Sequence, residues 1–150
     1  MRKVISALST KIARGGTVLL KNKQQALPLQ KGQSVALFGY GAHATAIGGW
    51  GSGSVNNRQN ISIKDGLEDA NINIVDNSWL LSSKEKYEKA LGDQNPHVFR
   101  YADPEVSQKD IDENKADVSI YVLTRLSGEG SDRTNTSGDY QLTSSESLTR

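Results

Sequence analysis

The chain has 150 residues, with 18 Lys plus Arg against 17 Asp plus Glu, a net charge of +1 and no cysteine. Disulfides, thiol catalysis and cysteine–zinc sites are therefore excluded, and the even charge balance gives no electrostatic case for nucleic acid or an anionic membrane as partner. No apolar run approaches the ~20 residues of a membrane span, and Val4–Leu8 is too short for a signal-peptide core, so the chain reads as one cytoplasmic domain, 1–150, with a hydrophobic content of only 35%.

Arg2 to about Ala13 predicts a helix, because Val4, Ile5, Leu8 and Ile12 share one face. Gly15-Gly16 ends it, and Thr17–Lys21 reads as a short buried strand. Leu27-Pro28-Leu29 is extended, since proline disfavours the α region in the residue before it. Val35–Phe38 is the clearest strand and opens into a glycine-rich loop, Gly39 to Val55. Ser62 to Ala70 predicts a short helix and Asn73–Val75 a strand. Ser82 or Ser83 is the expected cap of a helix from Lys84 to about Leu91, with Glu85 and Glu88 favouring its dipole. Asp93 to Pro104 is a loop, and Asp110–Asn114 a weakly apolar helix. Val118–Thr124 is the second clear strand. Thr143-Ser-Ser-Glu146 matches a capping box and announces a helix running past Leu148. Strands alternating with helices predict an α/β fold, a mostly parallel sheet with helices on both faces. The stop at Arg150 soon after a helix start predicts that the sandwich is truncated.

The strand Val118–Thr124 leads into Arg125-Leu-Ser-Gly-Glu-Gly-Ser-Asp-Arg133. Ligands of open α/β sheets sit beyond the carboxyl ends of the strands, so a glycine-flanked acid there, Glu129, is placed to act on one. Gly128 and Gly130 are expected to let the backbone turn. The same residues also read as a polar turn after a strand. Neither His43 nor His97 has metal-ligand spacing around it, and no metal or other cofactor is expected.

The loop after Val35–Phe38 begins Gly39-Tyr-Gly41, but a dinucleotide fingerprint needs a helix opening there and an acid ending the next strand. Asp65 and Glu68 fall in a predicted helix instead, and Gly48, Gly49, Gly51 and Gly53 keep the loop open. A loop carrying Trp50, Ser52 and Ser54 suits a sugar, whose hydroxyls need hydrogen bonds and whose apolar ring face needs an aromatic. A flexible connection is the plainer alternative.

Taken in order, Ile12-Ala-Arg14, Gly16 to Asn22, Leu27-Pro-Leu29, Val35–Gly39, Gly48–Val55, Asp65-Gly-Leu67, Ala116–Ile120, Ser127–Arg133 and Gly138-Asp-Tyr-x-Leu142 resemble the second domain of family 3 glycoside hydrolases, the β-glucosidases and related exo-acting enzymes. The resemblance spans nearly the whole chain and is least diagnostic from Asn77 to Asn114. It implies a six-stranded α/β sandwich packed against a (β/α) barrel. The barrel carries an aspartate nucleophile, while the sandwich lends a loop to the sugar site and, in many members, the general acid/base glutamate. That role maps onto Glu129. Trp50, Ser52, Ser54, Asp132 and Arg133 become substrate-binding candidates, with Asp132 and Arg133 also readable as an ion pair bracing the loop. Retaining hydrolysis of a β-glycoside or oligosaccharide needs two carboxyls about 5–5.5 Å apart, and here the barrel and its nucleophile are missing. The resemblance thus implies a non-barrel domain that is inactive alone. A stand-alone carbohydrate-binding or vestigial structural module without catalysis remains the alternative. Gly51 and Glu129 are expected at one edge of the sheet, on mobile loops. An unpaired sheet edge and the apolar sides of Thr17–Leu20 and Leu142–Leu148 are expected to find cover in a homodimer.

Overall fold

The computed structural model describes residues 2–55, 57, 60–94 and 101–148, so the expectation for His97 lies outside the described residues. The chain divides into two compact units, Met1–Gln30 and Lys31–Arg150. In the first, α1 spans Arg2–Gly16, as the apolar spacing predicts. Its hydroxyls bond back to the preceding turn, Thr10 Oγ1 to Ser6 O at 3.0 Å and Thr17 Oγ1 to Ala13 O at 2.9 Å. The strand expected at Thr17–Lys21 is absent. Val18 and Leu20 are 74% and 92% exposed, and among the described residues no strand pairs with this run. A lone extended segment has nowhere to place its backbone hydrogen bonds, so apolar composition alone does not make a strand. Asn22 then closes a loop on Leu27, donating to its carbonyl at 2.7 Å and accepting from its N–H at 3.1 Å. The Leu27–Pro28 peptide bond is cis.

The second unit is built on β1, Ser34–Phe38. It is followed by α2, Ile63–Asp69, β2, Asn73–Ile74, α3, Ser78–Leu91, α4, Gln108–Glu113, β3, Val118–Tyr121, and α5, Ser144–Leu148. The strands form one parallel sheet in the order β2-β1-β3. This is the expected α/β class. Val35, Ala36 and Leu37 are fully buried and Phe38 nearly so. Because successive strand residues point to opposite faces, burial of all four means that both faces of β1 are covered. Trp79 of α3 packs on Phe38 with ring centroids 5.5 Å apart.

Register is set at the start of the strands. Asp117 accepts from Ser34 N–H at 2.7 Å and from its hydroxyl at 2.8 Å, while Asp117 N–H donates to Ser34 Oγ at 3.0 Å. These bonds hold the Asp117 carboxyl below its usual range and align Val35 with Val118 and Phe38 with Tyr121. β3 is shorter than the predicted Val118–Thr124, although Val122 N–H still reaches Phe38 O at 2.8 Å.

The helix starts follow side-chain caps. Ser62 with Asp65 and Ser107 with Asp110 form capping boxes. Thr143 and Glu146 form the expected one, with Thr143 N–H to Glu146 Oε2 at 2.8 Å and Glu146 N–H to Thr143 Oγ1 at 3.2 Å. α3 departs from expectation, because its cap is Asn77 rather than Ser82 or Ser83. The earlier start brings Trp79 and Leu80 onto the core, where they are 7% and 6% exposed. Asn77 serves both elements, accepting from Leu80 N–H at 2.9 Å and donating to Leu37 O at 2.6 Å. No helix among the described residues is long and apolar enough to cross a membrane.

Asn77→Ala removes a cap and leaves a buried strand carbonyl without its donor, and so lowers stability by about 2–4 kcal/mol. Asn77→Ser retains the cap and loses about half as much. Urea denaturation of the three proteins checks the order.

Candidate functional site

Parallel strands discharge their following loops at one edge, and β1 and β3 are direct neighbours. The loop after β1 turns through a short 3-10 segment, Tyr40–Ala42, and later through a second, Gly51–Gly53. The loop after β3 runs from Val122 to a tight turn in which Glu129 and Gly130 lie between the bridged residues Gly128 and Ser131. The two loops meet there. Glu129 N–H donates to Trp50 O at 3.3 Å, and Ser52 N–H donates to Glu129 Oε2 at 3.0 Å. Gly51 and Glu129 thus lie at the same edge, as expected.

Two glycines permit the approach. Gly51 has φ +85°, and a Cβ on it would collide with the Glu129 side chain. A Cβ on Gly128 would run into the Trp50 ring. Gly128 is therefore needed for closeness to the indole, whereas Gly130, with φ +74°, is the residue that makes the turn. The sequence pattern assigns both to the turn.

The Glu129 side chain is exposed, and the hydrogen bonds from Ser52, the backbone N–H foremost, hold its carboxyl below the ordinary value of 4.5. It rests as an anion. Ser54 closes the neighbouring 3-10 turn through its N–H, 3.0 Å from Gly51 O. Asp132 is exposed on the same loop. Arg133 turns elsewhere. Its Nη1 lies 2.6 Å from Asp139 Oδ1, and the two side chains are only 14% and 18% exposed. Trp50, Ser52 and Glu129 are thus brought together, while the Arg133 guanidinium is committed to Asp139. That partner has no signature in the local pattern, since nothing in Gly138-Asp-Tyr marks which loop its carboxylate will meet.

Asp103, which the sequence marks only as a loop residue before proline, meets the carboxyl ends of β1 and β3. Its Oδ1 accepts from Tyr40 N–H at 2.7 Å and from Ser83 Oγ at 3.4 Å, and its Oδ2 from Tyr121 OH at 3.3 Å. It therefore ties the first turn after β1 to the end of β3. Burial raises its pKa against the pull of those donors. The Tyr40 phenol is pushed up to about 12, chiefly by burial and then by Tyr87 and Asp103. Tyr40 stacks on Tyr87 at 4.9 Å, and Tyr101 meets both rings edge-on.

A cleft of about 210 Å³ opens beside the glycine loop, between His43, Ile47, Gly48, Asn60, Tyr87 and Leu126. Glu129 does not line it. His43 Nε2 is buried without a hydrogen-bond partner, and desolvation, then Lys84, lowers its pKa, so the imidazole is neutral. Among the described residues no group of three or more His, Cys, Asp or Glu is placed to hold a metal ion.

Residues 17–147 match the glycosyl hydrolase family 3 C-terminal domain. Beta-glucosidase A of Butyrivibrio fibrisolvens is 34% identical over 135 residues, covering 84% of this chain and 15% of that protein. Beta-glucosidase 3B from Thermotoga neapolitana, solved in complex with glucose, is 35% identical with a TM-score of 0.67, over 88% of this chain and 19% of that one. A beta-glucosidase from Paenibacillus barengoltzii superposes with a TM-score of 0.71 at 27% identity, over 88% and 15%. The chain therefore spans less than a fifth of the length of each of these relatives.

The depressed Glu129 value has a defined pH signature. A carboxyl whose folded pKa is lowered favours the folded arrangement above its unfolded pKa, and that contribution is lost as pH falls through the folded value. The Ser52 amide shift is therefore expected to stay flat from neutral pH down to about pH 5 and to move only below the ordinary glutamate value. Glu129→Gln flattens the response, as read by ¹⁵N-resolved NMR.

Proposed function

The chain belongs to the glycosyl hydrolase family 3 C-terminal domain family, and from that premise we propose that it supplies the general acid/base, Glu129, and a rim of the sugar site to a β-glucosidase-type hydrolase. The observation that carries this reading is the Ser52 N–H to Glu129 Oε2 contact at 3.0 Å, which joins the glycine loop and the acid's loop into one surface. Trp50 and Ser52 lie within that surface, and Ser54 and Asp132 on its margin complete the substrate-facing set. Arg133, held by Asp139, braces the loop instead of reaching for substrate.

The chemistry follows from two carboxyls. A nucleophilic aspartate on a barrel domain attacks the anomeric carbon while Glu129 gives its proton to the departing glycosidic oxygen. The resulting carboxylate then takes a proton from the water that hydrolyses the glycosyl-enzyme. A proton donor needs a raised pKa, whereas Glu129 rests low. Docking on the barrel supplies the change. A second carboxylate nearby and exclusion of water both raise a carboxyl's pKa, and a substrate oxygen that draws Glu129 away from Ser52 removes the bond that lowers it.

Two outcomes test the proposal on an aryl β-glucoside. The isolated chain shows no turnover, because it holds one carboxyl of the pair. With a barrel domain supplied, Glu129→Gln lowers kcat by about 10²–10⁴-fold, and the loss shrinks for substrates whose leaving group needs no proton. An undiminished rate in that variant removes Glu129 from the role. Hydrolysis by the chain alone points to a second acid within it, Asp132 or Asp139.

A further inference from the structure

We infer that Arg125 and Arg133 are positioning residues for Glu129: the two guanidinium groups, at equal spacing on either side of it in sequence, are fastened to one residue, Asp139, and close the acid's loop into a tied hairpin. The inference deepens the reading of Glu129 as the acid and takes its catalytic meaning from it. The tie itself is a matter of position and is read without turnover.

The geometry is specific. Arg125 spreads its fork over three acceptors: Nε to Asp139 O at 2.7 Å, Nη1 to Thr124 O at 3.2 Å and Nη2 to Glu146 Oε2 at 2.6 Å. Arg133 Nη1 reaches the same Asp139 carbonyl at 3.3 Å and the carboxylate Oδ1 at 2.6 Å. The other carboxylate oxygen of Asp139 accepts from Thr134 N–H at 2.7 Å and from Thr134 Oγ1 at 2.6 Å, which locks its rotamer. Glu146 Oε2 is in turn held by Thr143 N–H at the start of α5. Both stems of the hairpin are thereby moored to residues 134–146. Between the stems, Ser127 Oγ bonds Ser131 O and Ser131 N–H bonds Gly128 O, both at 3.1 Å. Glu129 is left at the tip with one aim, toward Ser52.

Exposure separates these pairs from ordinary surface ion pairs. Arg125 and Glu146 are 18% and 8% exposed. The surface pair Lys84–Glu88 has side chains more than half exposed, and pairs of that kind contribute little. Each buried cation here has its own anion, so the cluster carries no uncompensated charge. A lysine cannot replace Arg125, because one ammonium cannot address three acceptors in the plane of a fork.

The test uses the 150-residue chain, labelled for NMR, with Arg125→Lys, Arg133→Lys and Asp139→Asn. Unchanged amide shifts at Val35–Leu37 certify the fold. In each lysine variant the Glu129 midpoint is expected to climb toward the ordinary 4.5, with the Ser52 amide no longer following it. Asp139→Asn, which keeps the backbone carbonyl that both arginines reach but loses the charge and one side-chain acceptor, gives a move in the same direction. Variants that fold and melt earlier yet keep the wild-type Glu129–Ser52 titration overturn the proposal, because that is what a purely structural ion pair would do. A wild-type measurement stands apart from whether any variant folds. The Arg125 Nε proton is expected to exchange with solvent at least about tenfold more slowly than that of exposed Arg14, and equal rates overturn the tie. None of these readouts depends on hydrolysis, so Glu129 can fail as the acid while the tie stands, and the reverse.

Discussion

Everything at the candidate site depends on the parallel pairing of β1 with β3. Parallel neighbours place their carboxyl ends side by side, so the loops that leave Phe38 and Tyr121 start only a strand spacing apart. Asp117 and Ser34 set the register from the opposite end of the sheet, through three hydrogen bonds of 2.7–3.0 Å. A slip of one residue would turn the half-buried Val118 and Ile120 of β3 to the other face and would carry the root of the Glu129 hairpin away from the glycine loop. The full burial of Val35, Ala36 and Leu37 makes such a slip costly, since apolar burial is worth about 1.5–3 kcal/mol for each large side chain.

Two kinds of carboxylate in the second unit stand in contrast, and the difference between them is solvation. Asp65, Asp110, Asp117 and Glu129 stand in water and accept hydrogen bonds from backbone or hydroxyl donors, so each is held below its usual range. Asp103 is half-buried, and desolvation outweighs its three donors. The folded chain therefore takes up a proton at Asp103 at higher pH than the unfolded chain does, the opposite of the surface caps. Below the site a strained charge joins two elements, while at its rim an easy charge waits on a backbone N–H. An acid that rests as an anion is not yet a proton donor. In the role proposed for it, closure against a second carboxylate is the step that would raise its pKa.

The hairpin also gives a reason for the segment beyond it. Residues 134–146 contribute little to the core, yet Asp139 and Glu146 hold two arginines whose positions frame Glu129. A glycine-flanked turn is conformationally loose by itself. Its stems are stiffened here by partly buried ion pairs and its tip by Ser52 and Trp50, so the precision of the acid comes from its surroundings.

Local signals were strong enough to be read directly from the residues. The apolar runs marked β1 and β3, and Thr143 with Glu146 announced its helix, because a cap and its partner are three residues apart and meet in any helix. The alternation of strands and helices implied a parallel sheet, and with it a common edge for Trp50, Ser52 and Glu129. Thr17–Lys21 misled, since a strand exists only when a partner accepts its hydrogen bonds. The start of α3 misled as well, because Asn77 was chosen by the carbonyl of Leu37, which lies 40 residues away in sequence. The anchors Asp103 and Asp139 were invisible for the same reason. A carboxylate announces its type in the sequence, but its partner is whatever the fold brings within 3 Å or so. The sequence by itself determined which segments could form strands and helices and that an acid would end the loop after β3. Only the tertiary structure decided where that acid points and what holds it there, because long-range hydrogen bonds and ion pairs leave no periodic trace in the chain.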